Sequence, residues 1–184
     1  MQKTDRYQLD ESDISLISTA SALHDIGKIM IPEEILNKPG RLTEEEYATI
    51  KTHTTEGARI LKGLAIGQDE PLVKVAHAIC RWHHERWDGG GYPDRLKGDE
   101  IPIAAQVVAL ADVYDALTSE RCYKQSYSHE KAVDMILHGE CGSFNPLLME
   151  CLKESSELLR TELQRSEYDR GFRHETRRLS EEIL

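Results

Sequence analysis

Six residues of metal-binding type stand at what the sequence marks as helix ends or inward helix faces: His24, Asp25, His53, His83, His84 and Asp112. An imidazole gives an ion one nitrogen, whereas a carboxylate has two oxygens and can bridge two ions. The adjacent pair His24-Asp25 therefore suits a shared centre. His24, Asp25 and Asp112 could hold one ion, and Asp25, His53, His83 and His84 a second. Two ions about 3.5 to 4 Å apart lower the pKa of a shared water and clamp a phosphoryl oxygen, which is hydrolase chemistry. Asp112 falls inside an apolar helix, where an ionised carboxylate is costly unless it is paired or bound to a metal.

Each residue also has a plainer reading. A lone histidine is usually a hydrogen-bonded imidazole, the pair at 83 and 84 suits a helix C-terminus through its dipole, and Asp112 can pair with Arg121. Those readings must hold independently at five places, whereas a metal centre accounts for all of them together. Lys28, Arg121 and Lys124 are ordinary solvated cations in isolation; beside such a centre they become phosphate clamps. His77, His129, His138 and His174 join no such constellation and are expected to be structural or solvated.

The elements that must position these groups are helices throughout. Asp10 or Ser12 caps a first helix predicted to run to about Gly27, with Leu16, Ala20, Leu23 and Gly27 on one stripe. Ile31-Pro32-Glu33-Glu34 predicts a short helix and Lys38-Pro39-Gly40 a turn. Thr43 and Glu46 form a capping box, from which Tyr47, Ile50, Thr54, Gly57 and Leu61 keep one helical period to Gly63. Pro71 opens a third long helix whose stripe is Leu72, Ala76, Ile79, His83 and Trp87, stopped by the glycines at 89 to 91. Residues 102 to 119 are apolar nearly all round and predict a central buried helix. Ser128 caps a helix to about His138, and Asn145-Pro146 begins one with Leu148, Cys151, Leu152, Ser155 and Leu159 inward. Beyond Gln164 the charges alternate, as in a frayed helix or a disordered tail.

Composition narrows the function classes. The chain has 184 residues, with 23 Lys+Arg against 33 Asp+Glu and a net charge of −10, so its field repels DNA and any phosphate ligand must be held locally. The longest apolar run, Val107 to Ala111, is far short of the roughly 18 to 20 residues of a membrane span, and the polar start is no signal peptide. Cys80, Cys122, Cys141 and Cys151 lack any C-x-x-C spacing and read as apolar fillers of a cytosolic protein.

HDIGK at 24 to 28, the IPEEILNKPGRLTEEE that follows, HTTEGARIL from 53, HHERWDGGGYP from 83 and ADVYDALTSERCYK from 111 together resemble the HD-GYP family, a branch of the HD-domain metal-dependent phosphohydrolases. The likeness spans about residues 9 to 163, with 1–8 a remnant of an upstream helix or linker and 164–184 a charged tail. It implies an all-α helical bundle with a two-metal site between helices, a bacterial origin, and hydrolysis of cyclic di-GMP to pGpG, often onward to GMP. It also implies iron or manganese as the metals, with zinc, nickel, magnesium or cobalt as alternatives, on His24, Asp25, His53, His83, His84 and Asp112. By the same matching, Asp25 and Lys28 are catalytic, while Gly91, Tyr92, Asp115, Arg121 and Lys124 lie on the substrate side. The Gly91-Tyr92-Pro93 loop is expected near the substrate or a diguanylate cyclase domain.

Two departures stand out. Thr54 replaces the family's usual proline after His53, and the earlier helix that in family members adds a glutamate and a histidine ligand has no counterpart between Met1 and Leu9. A fragment of a longer regulator with a sensory or receiver domain upstream, or a site with fewer ligands, is the expectation. A homodimer is compatible with the sequence. The alternatives are a non-catalytic module that binds cyclic di-GMP or a cyclase partner, and an HD phosphohydrolase acting on another nucleotide.

Overall fold

A computed structural model describes residues 6–64, 67, 69–119 and 126–181, with side chains described as far as 165. Among these residues every regular element is helical, as the pattern of caps and periodicities predicts. The chain groups into two compact units, one of residues 1–113 with 142–145 and the other of residues 114–141 with 146–184.

In the first unit, Asp10 and Asp13 make a reciprocal capping box that starts α1 (Glu11–Ser21). A 3-10 turn, Ile26–Met30, follows, then the single turn α2 (Glu33–Leu36) with Pro32 as its N-cap. Thr43 and Glu46 form the predicted capping box of α3 (Glu44–Lys51). The single helix expected from Thr43 to Gly63 is in fact two. It breaks at Thr52, whose hydroxyl turns back to the Thr49 carbonyl, and resumes as α4 (His53–Lys62), ending at Gly63 as expected. Pro71 opens α5 (Pro71–Trp82), which stops five residues before Trp87.

The core joins Ile17 and Ala20 of α1, Leu61 of α4, Ala76, Ile79 and Cys80 of α5, and Ala104 and Val108 of α6 (Ile103–Thr118). Ala76, Ile79 and Cys80 have no solvent exposure, whereas Leu72, placed inward by the simple stripe, is exposed because Val73 takes the buried position. The Cys80 thiol donates to the Leu23 carbonyl at 2.9 Å. Buried Asn145 donates to Gln106 and Tyr7, both at 2.8 Å, which fastens residues 142–145 into this unit.

In the second unit, Ser128 caps α7 (His129–Leu137), which packs against α8 (Pro146–Glu181). Leu152 of α8 is buried, but Ser155, expected inward, is exposed. The helix continues past Gln164 to Glu181. His129 is a satisfied structural histidine, bonded to the Tyr114 hydroxyl at 2.8 Å and the Ser156 hydroxyl at 2.9 Å. No helix of the described residues is long and apolar enough to cross a membrane.

The tightest backbone approach in the first unit is between the 3-10 turn and α4. A Cβ on Gly27 would overlap the His53 carbonyl and the Gly57 nitrogen, so only glycine lets the two backbones touch there. Gly27→Ala should therefore cost about 2 kcal/mol or more in urea unfolding, as overpacking against backbone does. Gly63→Ala, at a helical φ with its nearest neighbour at 3.4 Å, should be neutral or slightly stabilising in the same measurement.

Candidate metal centre

The six predicted ligands all belong to the first unit. His24 and Asp25 do not close a helix reaching Gly27. The α-helix ends at Ser21, and i→i−3 bonds from His24 to Ser21, Ile26 to Leu23 and Lys28 to Asp25 carry the chain tightly around. His53 opens α4 just beyond the break at Thr52, with 1% exposure. His83 is the C-cap of α5 and His84 follows it. Asp112 lies in α6 with its side chain 29% exposed, so it is not sealed in the apolar interior that the composition of this helix suggested.

Asp25 sits at the middle of the group. Its Oδ2 lies 3.2 Å from His24 Nε2, and that same nitrogen lies 3.8 Å from Asp112 Oδ1. Its Oδ1 faces the other way, 3.4 Å from His53 Nε2 and 4.0 Å from His83 Nε2. His53 and His83 bring their Nε2 atoms within 3.4 Å of each other, and one ring nitrogen from each of His53, His83 and His84 fits within a 4.8 Å cluster.

The ring tautomers follow from the backbone. Nδ1 of His24 lies 2.8 Å from the Ser21 carbonyl, Nδ1 of His53 2.7 Å from that of Ile50, and Nδ1 of His83 2.9 Å from that of Ile79. A carbonyl can only accept, so each Nδ1 carries hydrogen and each neutral ring turns an Nε2 lone pair toward Asp25. Buried lone pairs then face a carboxylate oxygen and one another. Asp25 Oδ1 and His24 Nε2 are correspondingly buried without a hydrogen-bond partner. A cation among them is the natural relief of such an arrangement, and the nitrogen and oxygen donors fit a divalent ion.

The proton affinities agree with that chemistry. Burial, and then the charge of His53, lowers His83 to about 4; burial, and then His83, lowers His84 to about 3; burial also lowers His53. Burial would raise Asp25, but its contacts with His24 and Lys28 outweigh this and hold the carboxyl well below the usual carboxylate range. His24 is raised, chiefly by its contact with Asp25. The site thus presents His53, His83 and His84 as neutral imidazoles beside an ionised carboxylate at neutral pH, with His24 the one ring that favours its proton.

The remaining predicted residues are placed as follows. Lys28 Nζ lies 2.5 Å from Asp25 Oδ2. Tyr92 stacks on His84, with centroids 4.9 Å apart and planes at 26°. Gly91 packs its backbone onto His84, Glu85 and Arg86, where a Cβ would not fit. Asp115 belongs to the second unit, is exposed, and accepts a hydrogen bond from the Ser119 hydroxyl. Arg121 and Lys124, like Cys122, lie outside the described residues. Thr54, in place of proline, bonds through its hydroxyl to the Lys51 carbonyl and is fully buried.

Sequence reasoning passed over Glu85. It is 5% exposed and accepts from the Asp94 and Arg95 amides. The available signal was its position, an acidic residue between two histidines and a glycine-rich loop.

Comparison with known proteins defines the class. The HD domain family matches residues 3–144, and the chain belongs to it. HD-domain phosphohydrolases are metal-dependent, which accords with the histidine cluster. Among individual relatives, the chain is 45% identical over 151 residues to a probable cyclic di-GMP phosphodiesterase of Vibrio cholerae, covering 80% of this chain and 34% of that protein. It is 43% identical to the 3'3'-cGAMP-specific phosphodiesterase 2 of the same organism (80% and 28% covered) and 42% identical to a cyclic di-GMP phosphodiesterase of Thermotoga maritima (90% and 44% covered). The chain therefore spans less than half the length of these relatives.

One consequence concerns acid. Below an ordinary histidine pKa of 6.5 the unfolded chain takes up protons that folded His83 and His84 refuse. Their contribution to stability is complete above 6.5 and is lost as pH falls toward about 4. His24, with its raised pKa, has the opposite sign and loses its contribution as pH rises through that pKa. For chelator-stripped protein, Tm by circular dichroism should fall from pH 6.5 to 4; a Tm flat over that window would contradict the neutral imidazole pair.

Proposed function

We propose that this chain carries the catalytic domain of a metal-dependent phosphodiesterase that opens cyclic di-GMP to linear pGpG and can continue to GMP. The observation that carries this reading is Asp25, whose two oxygens face opposite ways, one toward His24 and the other toward His53 and His83. In this reading His24, Asp25 and Asp112 hold one divalent ion and Asp25, His53, His83 and His84 hold another. The family resemblance implies iron or manganese, with zinc, nickel, magnesium or cobalt as alternatives, and nitrogen and oxygen donors accommodate any of these. A bound pair of ions supplies Lewis acidity and a water of lowered pKa, toward a barrier reduction on the order of 20 kcal/mol.

The chain's own residues supply the rest. Asp25 fixes the spacing of the two ligand groups, and the Nδ1 tethers keep the imidazoles oriented. Lys28, beside Asp25, stabilises charge on the departing 3′ oxygen. Tyr92 and Gly91 border the substrate, and Asp115, Arg121 and Lys124 contact it on the strength of their motif positions. The domain covers about residues 9–163, with 164–184 as a charged tail. In the longer protein a sensory or receiver domain upstream would govern it, and a diguanylate cyclase domain or a second copy could dock on it.

A second substrate reading, 3'3'-cGAMP, is favoured by the 43% identity to a phosphodiesterase named for that dinucleotide. Anaerobically prepared protein loaded with manganese or iron should convert cyclic di-GMP to pGpG in a chromatographic assay, with 3'3'-cGAMP run in parallel to rank the two. Asp25→Asn should lose both bound metal and turnover. Full activity in that variant would overturn the bridging role, and binding of cyclic di-GMP without product would select a non-catalytic module.

A further inference from the structure

Three of the four clustered histidines are held by a hydrogen bond from Nδ1 to a backbone carbonyl of the preceding turn. His84 is different. Among the described residues no hydrogen bond holds its ring, yet a ligand free to swivel would bind a metal poorly. Its faces are instead occupied by rings. Tyr92 stacks on it at 4.9 Å and 26°, His83 lies at 4.1 Å, and His53 meets it edge-on at 5.1 Å.

Tyr92 is itself held by an unusual amount of local structure. Its amide donates to the His84 carbonyl at 3.2 Å, and Gly91 seats the chain against His84, Glu85 and Arg86. Beyond Pro93, the Glu85 carboxylate accepts from the Asp94 amide at 2.7 Å and the Arg95 amide at 3.0 Å. The Asp94 side chain is gripped from α5 by Arg81 at 2.7 and 2.8 Å and by the Trp82 indole at 2.7 Å. A carboxylate buried to this degree is expensive unless it is bonded, and Glu85 spends its Oε1 on the two loop amides while its Oε2 is buried without a hydrogen-bond partner among the described residues.

We propose that Glu85 is a positioning residue that fastens the 91–95 loop so that the Tyr92 ring fixes the orientation of His84, taking the place of the missing Nδ1 hydrogen bond. This rests on the reading of His84 as a metal ligand. The ring, and not the hydroxyl, does the positioning, because the contact is a stacked one. The loop therefore serves the metal centre directly, in addition to anything it does for substrate.

Manganese titration of the chelator-stripped chain, followed through the electron paramagnetic resonance of free Mn²⁺, tests this without reference to turnover. Tyr92→Phe keeps the stack and should bind manganese as the unaltered chain does. Tyr92→Leu should weaken the His84-dependent site about 10- to 100-fold, the range expected when an outer-shell partner of a ligand is lost. Glu85→Ala should weaken it in the same direction, and Glu85→Gln, which retains an acceptor for the two amides, should recover most of the loss. Should Glu85→Ala fail to fold by circular dichroism, the Phe and Leu pair at Tyr92 decides the matter. Unchanged affinity in Tyr92→Leu, with His84→Ala markedly weakened, would overturn the positioning role alone. Equal loss in Tyr92→Phe and Tyr92→Leu would overturn the stacking by assigning the effect to the hydroxyl. Equal manganese binding by His84→Ala and the unaltered chain would instead overturn the ligand reading beneath it.

Discussion

Asp25 imposes the constraint from which the rest of the first unit follows. Its carboxylate is surrounded by imidazole nitrogens, and two of these, on His53 and His83, have already committed their hydrogens to backbone carbonyls. Left to itself, such a cluster of acceptors would push its members apart. Lys28 and the proton affinity of His24 balance Oδ2, but nothing among the described side chains donates to Oδ1. The architecture must therefore hold several mutually repelling groups together by packing.

That holding is done by backbone contacts. Gly27 and Gly57 let the turn after Asp25 lie directly on α4, which sets His53 against Asp25. The core residues Ala76, Ile79 and Cys80 lock α5 below, and His83 and His84 emerge from its end. Apolar burial on one side of each element thus stabilises a polar convergence on the other, a division of labour that helices achieve through their 3.6-residue period. A side chain at Gly27 would force the turn off α4 and carry Asp25 away from His53, whereas one at Gly57 would ask its neighbours for only a few tenths of an ångström.

Much of this was legible in the sequence because it depends on local rules. The Thr43–Glu46 capping box, the Ser128 cap and Pro71 each mark a true helix start, and the metal-competent residues could be listed from their types and positions. Less legible were features settled by competition between local patterns and packing. The period from Tyr47 to Leu61 runs through the break at Thr52 unmarked, since a threonine hydroxyl bonding backward leaves no trace in hydrophobic spacing. The turn at His24 likewise looks helical by stripe. Glu85 escaped notice because burial of an acid cannot be read from composition, only from the amides that meet it.

Cys80 carries a further consequence. It stands in α5, four residues before His84, and is fully buried. Burial, reinforced by the negative charge of Asp25, pushes its thiol up to about 12, and its hydrogen is given to Leu23. A neutral thiol that packs as a small apolar group and donates to a carbonyl thus ties the end of α5 to the turn that carries His24 and Asp25.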